Sequence, residues 1–190
     1  MTPIVASARS VLAFLLRADI WLVRLCAETT RRSLARQSAI AFSRVGNGFL
    51  YPVLAAILIL IYGARGQTLI VIAIVNIGLL HCLYPVIKKW TARPRPYHTH
   101  PDLAPLLRPL DEHSFPSGHA MTLTAALVPI ALVSSHALLT SLALWGAMAW
   151  ARLASAHHYP SDVLGGTAIG LIVSYPISQL CMSTVAAITP

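Results

Sequence analysis

Residues 163–188 read VLGGTAIGLIVSYPISQLCMSTVAAI and carry no charged side chain. About 20 apolar residues are needed to cross a bilayer core, so this stretch alone predicts a membrane-spanning helix. Gly166 and Gly170 have the GxxxG spacing that favours close helix packing in membranes. Of the 190 residues, 56% are hydrophobic and 11% are charged, and the mean hydropathy is +0.69. Such a composition excludes an ordinary soluble domain.

Earlier apolar runs extend this pattern over most of the chain. The first of these runs, residues 49–62, becomes long enough to span the membrane if the preceding turn from Ser43 is included. Gly63 to Gly66 then form a tight turn. We therefore predict an all-α, polytopic membrane helical bundle with about five spanning helices, in a single domain over residues 1–190. The four earlier runs are residues 49–62, 69–87, 119–134 and 137–150.

The N-terminal segment, residues 1–44, is basic and amphipathic. Its polar residues recur every seven positions and so share one helical face, which predicts an amphipathic surface helix over residues 11–26. A spanning helix is the alternative, but it would place Arg17, Asp19 and Arg24 at bilayer depth without obvious partners. The same three charges interrupt the only early apolar run and argue against a cleavable signal peptide. The recurring positions are Ser10, Arg17, Arg24 and Arg31.

The net charge of +8 is concentrated in two places, the N-terminal segment and residues 88–108. Basic residues at the ends of apolar runs are better explained by anionic lipid headgroups or phosphate esters than by nucleic acid. The expected partners are therefore a phosphate-bearing lipid and the bilayer. The cysteines at 26, 82 and 181 are far apart, and five of the histidines show no close ligand spacing with acidic or thiol partners, so no metal site is predicted. These histidines are His81, His98, His100, His113 and His136.

The polar segment over residues 88–118 contains much of the proline and cannot lie in lipid, because irregular backbone needs water or protein partners. It begins with KKWTARPRP at residues 88–96 and ends with PSGH at residues 116–119. Alone, the first is typical of basic anchoring at a membrane boundary, and the second of an ordinary helix cap. A free helix N-terminus also favours an anion.

A third polar cluster, ARLASAHHYPSD at residues 151–162, precedes the last apolar run. The helical hairpin over residues 119–150 brings its two outer ends to one face, so the second and third clusters meet there. The first cluster joins them through a loop. Fixed cations, hydroxyl and amide donors, and histidines near a carboxylate are the inventory that phosphoryl transfer requires.

These three clusters resemble the motifs of the type-2 phosphatidic acid phosphatase family, KxxxxxxRP, PSGH and SRxxxxxHxxxD. Here Lys88 and Arg95 fit the first motif, whereas Lys89 is out of register, and His158 fits the third motif where His157 is one place short. Ala151 departs from the pattern by replacing the serine. The resemblance covers roughly residues 68–172 and is specific, since three motifs occur in the right order and spacing.

The resemblance implies a metal-independent phosphatase without a cofactor. It makes His158 the nucleophile that forms a phosphohistidine, with Asp162 holding its imidazole in the reactive tautomer. It makes His119 the acid that protonates the leaving alkoxide and then the base that activates water. The residues expected to bind the substrate phosphate are Lys88, Arg95, Ser117, Gly118 and Arg152.

The sequence specifies the lipid substrate and the membrane face of the active site less closely. Phosphatidic acid or phosphatidylglycerol phosphate is the first candidate substrate, and an isoprenyl diphosphate such as undecaprenyl diphosphate is the alternative. A transporter would place charges within helices rather than at their ends, which argues against that class. The resemblance favours a bacterial inner membrane and a periplasmic site, whereas positive-inside counting of five spans favours the cytoplasmic face.

Overall fold

The computed structural model describes the backbone of residues 3–188 and the side chains of residues 13–184. Within that range the chain forms helices and loops and contains no strand, which confirms the all-α prediction. The helices are α1 Pro3–Thr29, α2 Ser33–Val45, α3 Leu50–Tyr62, α4 Ala64–Thr91, α5 Pro96–Thr99, α6 Gly118–Ala131, α7 Ser135–Ala154 and α8 Pro160–Ile188.

Each predicted apolar run coincides largely with one helix, but the helices differ in length. In the described range, α4, α7 and α8 are long and apolar enough to cross a membrane unaided. Helix α6 is apolar but has only 14 residues. Helices α2 and α3 pass the same test together but are bent by 77°. Three or four spans are therefore supported by length and composition, against the five expected, and the chain is an integral membrane protein.

The bend between α2 and α3 corrects the prediction that residues from Ser43 onward extend the first span. Ser43 lies in α2, and the chain turns through Gly46, Asn47 and Gly48 before α3 begins. The next turn is also tighter than expected, since Gly63 alone separates α3 from α4, with φ of +55°. Gly66 is already helical and packs against α3, where a Cβ would lie 2.1 Å from Leu58 O.

Helix α6 lies at the centre of the bundle, between α4, α7 and α8, and most of its residues are buried. The GxxxG pair of α8 packs against it as predicted. A Cβ on Gly166 would lie 2.6 Å from Ser117 O, and one on Gly170 would lie 2.9 Å from Thr124 Cβ. The outer surfaces carry exposed apolar side chains such as Leu60 and Ile172, as expected where lipid replaces water.

Helix α1 extends beyond the predicted surface helix at both ends and packs against α7 and α8. Asp19 on this helix is buried and accepts a hydrogen bond from Arg93 Nη2 at 2.9 Å. Arg24 donates to Asp102 through Nε at 3.0 Å. Asp19 and Arg24 therefore have partners that the sequence did not reveal, because the polar segment folds back onto α1 and supplies opposite charges.

Candidate active site

The three polar clusters meet at one end of the bundle, as the hairpin argument predicts. A cavity of about 590 Å³ opens there between the end of α4, the start of α6 and the end of α7. Five of the eight predicted site residues line this cavity. They are Arg95, Gly118, His119, Arg152 and His158. The other three, Lys88, Ser117 and Asp162, are buried behind its wall.

The imidazole of His158 is buried and held by the backbone rather than by a carboxylate. Its Nδ1 donates to Ser114 O at 2.7 Å, which leaves the lone pair on Nε2, 3.4 Å from Arg95 Nη1. Asp162 Oδ2 lies 3.7 Å from Nδ1. The predicted direct hydrogen bond from the ring to Asp162 is therefore absent, because helix α8 begins only at Pro160 and His158 precedes it with its ring turned towards Ser114.

The pKa of His158 lies well below its ordinary value. Burial is the main cause, and the positive charges of Arg152 and Arg95 lower the pKa further. The ring is therefore neutral at physiological pH. Together, the protonated Nδ1, the unprotonated Nε2 and the lowered pKa describe an imidazole ready to act as a nucleophile.

Asp162 supports the site through other groups. Its Oδ1 accepts a hydrogen bond from Arg93 Nη1 at 2.5 Å, and its Oδ2 accepts one from Tyr159 N at 2.8 Å. The guanidinium of Arg93 also stacks over the Tyr159 ring at 4.1 Å. Arg93 therefore links Asp162 to Asp19 on α1. Sequence reasoning missed this role, since Arg93 occupies an unspecified position between Lys88 and Arg95.

The PSGH segment forms the start of α6, but its serine does not face the cavity. Ser117 is fully buried and its Oγ accepts from Ala120 N at 3.5 Å, as a helix cap does. The Ser117 hydroxyl, which was expected to contact phosphate, therefore does not face the cavity. Gly118 does line the cavity, and a Cβ there would lie 2.9 Å from the Tyr84 ring, which would have to move.

His119 lines the cavity one residue further along α6. Its Nε2 lies 2.7 Å from Asn47 Oδ1, which reaches it from the turn between α2 and α3. Gly46 packs against the same ring, where a Cβ would lie 3.1 Å from His119 Cδ2. Asn47 was not among the predicted site residues. The sequence signal for Asn47 was its position in the short stretch Gly46-Asn47-Gly48. Such stretches are common in loops, so this one did not indicate a functional residue.

His157 does not face the cavity, in agreement with its exclusion by spacing. Its Nε2 donates to Leu107 O at 2.7 Å, so its Nδ1 is free to accept from Arg152 Nη2 at 2.6 Å. Burial and the charge of Arg152 lower the pKa of His157 to about 3, which keeps it an acceptor. Arg152 Nε is buried and has no partner among the described residues. Arg152 also lines the cavity, so its guanidinium places a positive charge beside any anion bound there.

Lys88 and Arg95 share an acidic partner that sequence reasoning did not assign to the site. Asp111 accepts hydrogen bonds from Lys88 Nζ, from Arg95 Nη2 at 2.7 Å and from Tyr84 Oη at 2.6 Å. Its carbonyl also accepts from Arg95 Nε at 3.1 Å. Burial acts to raise the pKa of Asp111, but the bonds from Lys88 and Tyr84 and the nearby cations outweigh it, so the pKa is lowered. Asp111 is therefore an anion on the cavity wall.

Among the described residues, no three histidine, cysteine or carboxylate side chains come together as a metal site. The cavity instead combines cations, amide donors and two histidines. This arrangement can bind a tetrahedral anion, attack it from one side and protonate a leaving group from another.

Comparison with known proteins agrees with this architecture. A crystal structure of a transmembrane PAP2 type phosphatidylglycerolphosphate phosphatase from Bacillus subtilis superposes with a TM-score of 0.67 at 20% identity, covering 89% of this chain and 87% of that one. A crystal structure of LpxE from Aquifex aeolicus gives 0.68 at 24% identity, covering 87% and 95%. At these identities the likeness shows the fold.

Two curated relatives are similar in sequence over part of the chain. A decaprenylphosphoryl-5-phosphoribose phosphatase from Mycolicibacterium smegmatis is 41% identical over 91 residues, which are 46% of this chain and 47% of that protein. The Mycobacterium tuberculosis protein of the same name is 36% identical over 93 residues. The chain thus matches about half the length of these relatives. The model of the PAP2 superfamily matches residues 69–185, well over half of the chain, and the chain therefore belongs to the PAP2 superfamily.

Proposed function

We propose that this chain is a metal-independent membrane phosphatase that hydrolyses a phosphate monoester of a lipid through a phosphohistidine on His158. The observation that carries the proposal is the position of His158 Nε2 at the cavity wall, unprotonated and beside the cations of Arg95 and Arg152. A nucleophile between fixed cations is what transfer of a dianionic phosphoryl group requires.

In the first step, the Nε2 lone pair of His158 forms a bond to phosphorus while the bond to the lipid oxygen breaks. The leaving alkoxide takes a proton from the imidazolium form of His119, which becomes neutral, and Asn47 Oδ1 accepts the Nε2 hydrogen in the resting arrangement. In the second step, His119 accepts a proton from water as the water oxygen attacks phosphorus. The bond from phosphorus to Nε2 then breaks and inorganic phosphate leaves.

Charge on the phosphoryl oxygens is neutralised by the surrounding donors. Arg152 and Arg95 line the cavity, and the buried Lys88 lies behind its wall. Backbone amides at the start of α6, near Gly118, add the positive end of the helix dipole. Because three side-chain cations are present, no metal ion is needed in this mechanism.

A lipid substrate is supported by the surface beside the cavity. An apolar groove of about 250 Å³ adjoins it, and Tyr51 and Ile77 line both. The groove continues between α3, α4 and α6, past residues such as Leu58 and Ile74, towards the apolar part of the bundle. A phosphate in the cavity could therefore keep its acyl or prenyl tail in a hydrophobic environment.

A polyprenyl tail is the second candidate, and the mycobacterial relatives favour it. Their names describe removal of phosphate from a decaprenyl-linked substrate. We propose a bacterial inner membrane location with the site on the periplasmic side. Reaction of a cysteine introduced at the exposed position Glu112 with a membrane-impermeant thiol reagent would test that face. Labelling only after permeabilisation would contradict it.

The central test uses purified protein in detergent and dioctanoyl phosphatidic acid, phosphatidylglycerol phosphate and farnesyl phosphate as substrates. We expect phosphate release from at least one of them, unaffected by EDTA. His158→Ala should abolish it, and acid-labile, base-stable radiolabel trapped on the wild-type protein should be missing from this variant. His136→Ala is the matched control, since His136 is exposed at the opposite end of the α6–α7 hairpin. Full activity in His158→Ala, or inhibition by EDTA, would refute the mechanism.

A further inference from the structure

Helix α2, Ser33–Val45, lies at the cavity end of the bundle and takes no part in the reaction proposed above. Its buried face packs on the end of α7, where Ala39 forms a core cluster with Ala151 and Ala154. The helix is bent by 77° from α3, which is part of the apolar bundle. Because α7 ends at Ala154, α2 lies across this end of the bundle rather than continuing α3.

The exposed side chains of α2 differ in chemistry between two sides of the helix. At about 3.6 residues per turn, Leu34, Phe42 and Val45 share one side, and all three are exposed. Arg36 and Arg44 share the other side and are also exposed. The buried face lies between these two sides. An apolar side and a basic side that flank a buried face are typical of a helix lying in the plane of a membrane interface.

The basic side of α2 has no acidic group to neutralise it. No aspartate or glutamate occurs in the sequence between Glu28 and Asp102. Among the described residues, no salt bridge includes Arg36 or Arg44. Two exposed guanidinium groups beside an apolar surface are complementary to a layer of anionic lipid headgroups.

Other side chains mark the level of the headgroups at this end of the bundle. Trp90, in the last turn of α4, is 86% exposed and follows the exposed Lys89. Tryptophan and lysine at the end of a spanning helix are characteristic of the membrane interface. Phe49, directly after the α2–α3 turn, is exposed as well. The cavity end therefore lies at the interface, and α2 lies along it.

The end of α2 is joined closely to the proposed acid. Gly46 follows the helix and packs between two side chains, where a Cβ would lie 2.3 Å from Met148 Cε and 3.1 Å from His119 Cδ2. Asn47 comes next, with Oδ1 2.7 Å from His119 Nε2. Only Gly46 separates the last residue of α2 from Asn47. A shift of α2 therefore moves the acceptor that orients His119.

We propose that α2 binds the anionic lipid surface of the bilayer and that this contact holds Asn47 against His119. The apolar side of α2 lies among the acyl chains, and Arg36 and Arg44 contact headgroup phosphates. The partner is the surrounding lipid rather than the substrate. This inference rests on the proposed phosphatase function and adds a regulation of its site, because activity rises with the anionic lipid content of the membrane.

The first test measures phosphate release from farnesyl phosphate in phosphatidylcholine nanodiscs with increasing phosphatidylglycerol, which has no terminal phosphate to release. The wild-type kcat should rise about fivefold, as expected when one hydrogen bond becomes well oriented. Arg36→Gln and Arg44→Gln should match the wild type in phosphatidylcholine alone. Each should need about fivefold more phosphatidylglycerol for the same rise, since one basic residue near an anionic surface contributes about 1 kcal/mol.

Arg65→Gln is the matched control, because Arg65 is an exposed arginine at the start of α4, whereas the cavity lies at the end of that helix. It should respond as the wild type does. In Asn47→Ala, phosphatidylglycerol should no longer raise kcat, which separates the coupling from effects of surface charge on the substrate. The proposal is overturned if the wild type does not respond, if the Arg36 and Arg44 variants respond normally, or if the response survives in Asn47→Ala.

A second measurement locates α2 without relying on activity. Nitroxide labels are attached to Phe42→Cys on the apolar side and to Gln37→Cys on the side of Arg44, in a protein whose three native cysteines are replaced by alanine. Oxygen dissolved in the acyl chains should relax the first label, and a water-soluble nickel chelate the second. Access of the chelate to both labels would place α2 in water, and access of neither agent to Phe42→Cys would indicate a second copy of the chain. Either result would overturn the proposal. Labels placed as expected in a protein that releases no phosphate in any bilayer would instead refute the proposed function.

Discussion

The helices α4 to α8 and the loops between them contain every side chain proposed to act on the phosphate, whereas α1 and the α2–α3 turn contribute side chains that support those groups. Asp19 on α1 bonds to Arg93 and to Ser161 N, and Asn47 in the turn bonds to His119. Both supporting residues lie outside residues 69–185, the region that matches the superfamily. The comparison indicates that the groups acting on the phosphate and the groups supporting them can be altered separately, and each region makes its own predictions.

The largest effect is expected for Arg152 in the C-terminal region. Arg152→Gln removes a buried cation that lines the cavity. Because charge on the phosphoryl oxygens would then be less well stabilised, kcat/KM should fall by about 10²–10³-fold. Arg65→Gln, which changes an arginine at the start of α4, is the control. A loss below tenfold would show that Arg152 does not contact the transferring phosphoryl group.

The pH profile tests the electrostatics of the same region. Since burial and nearby cations lower the pKa of His158, the neutral nucleophile persists at pH values where an ordinary histidine with a pKa of 6.5 is charged. An unshifted nucleophile would lose about tenfold in kcat/KM at one pH unit below its pKa. We expect no such loss at pH 5.5, once the separately measured titration of the substrate phosphate is taken into account. An acid limb with a midpoint near 6.5 would contradict the assigned environment of His158.

The contribution of α1 is tested by Asp19→Asn. Asp19 is nearly buried and holds Arg93, which in turn holds Asp162 near His158. Weakening this chain of ion pairs should lower kcat about tenfold and reduce the melting temperature by several degrees, with little change in KM. Glu28→Gln is the matched control, because Glu28 lies on the same helix and forms only an exposed ion pair with Arg31. Equal effects of the two variants would show that α1 does not support the active site.

The motif residues could be assigned from sequence because their spacing and the hairpin topology are both local. Residues 119–150 had to return to the same face, which brought Gly118, His119 and Arg152 together. The supporting residues could not be assigned in this way. Asp19 and Arg93 are 74 residues apart, and His119 and Asn47 are 72 apart, so nothing in the local pattern joins them. A single charged or amide side chain in a loop is also readily explained as an ordinary solvent-exposed residue, so it gives no reason to assign it to a site.

For two of the predicted site residues, Asp162 and Ser117, the observed contacts depend on where a helix begins. The spacing of His158 and Asp162 is four residues, which would stack their side chains if both were helical. Because α8 begins at Pro160, the His158 ring turns to the Ser114 carbonyl instead. Likewise, Ser117 caps α6 rather than facing the cavity, since the helix begins directly after it. Shifts of one or two residues at helix ends therefore decide which groups face the substrate.

The smallest effect is expected for Asn47 in the α2–α3 turn. Asn47→Ala removes the acceptor at 2.7 Å from His119 Nε2 but leaves the imidazole itself in place. The acid would be less well oriented, and losing one neutral hydrogen bond of roughly 1 kcal/mol should lower kcat about fivefold. KM should change little, because Asn47 is not expected to bind the phosphate. Gln37→Ala on the exposed face of α2 is the control for removing an amide from this region. An equal decrease with Asn47→Asp, which keeps the acceptor, would show that Asn47 matters for the shape of the turn rather than for the orientation of His119.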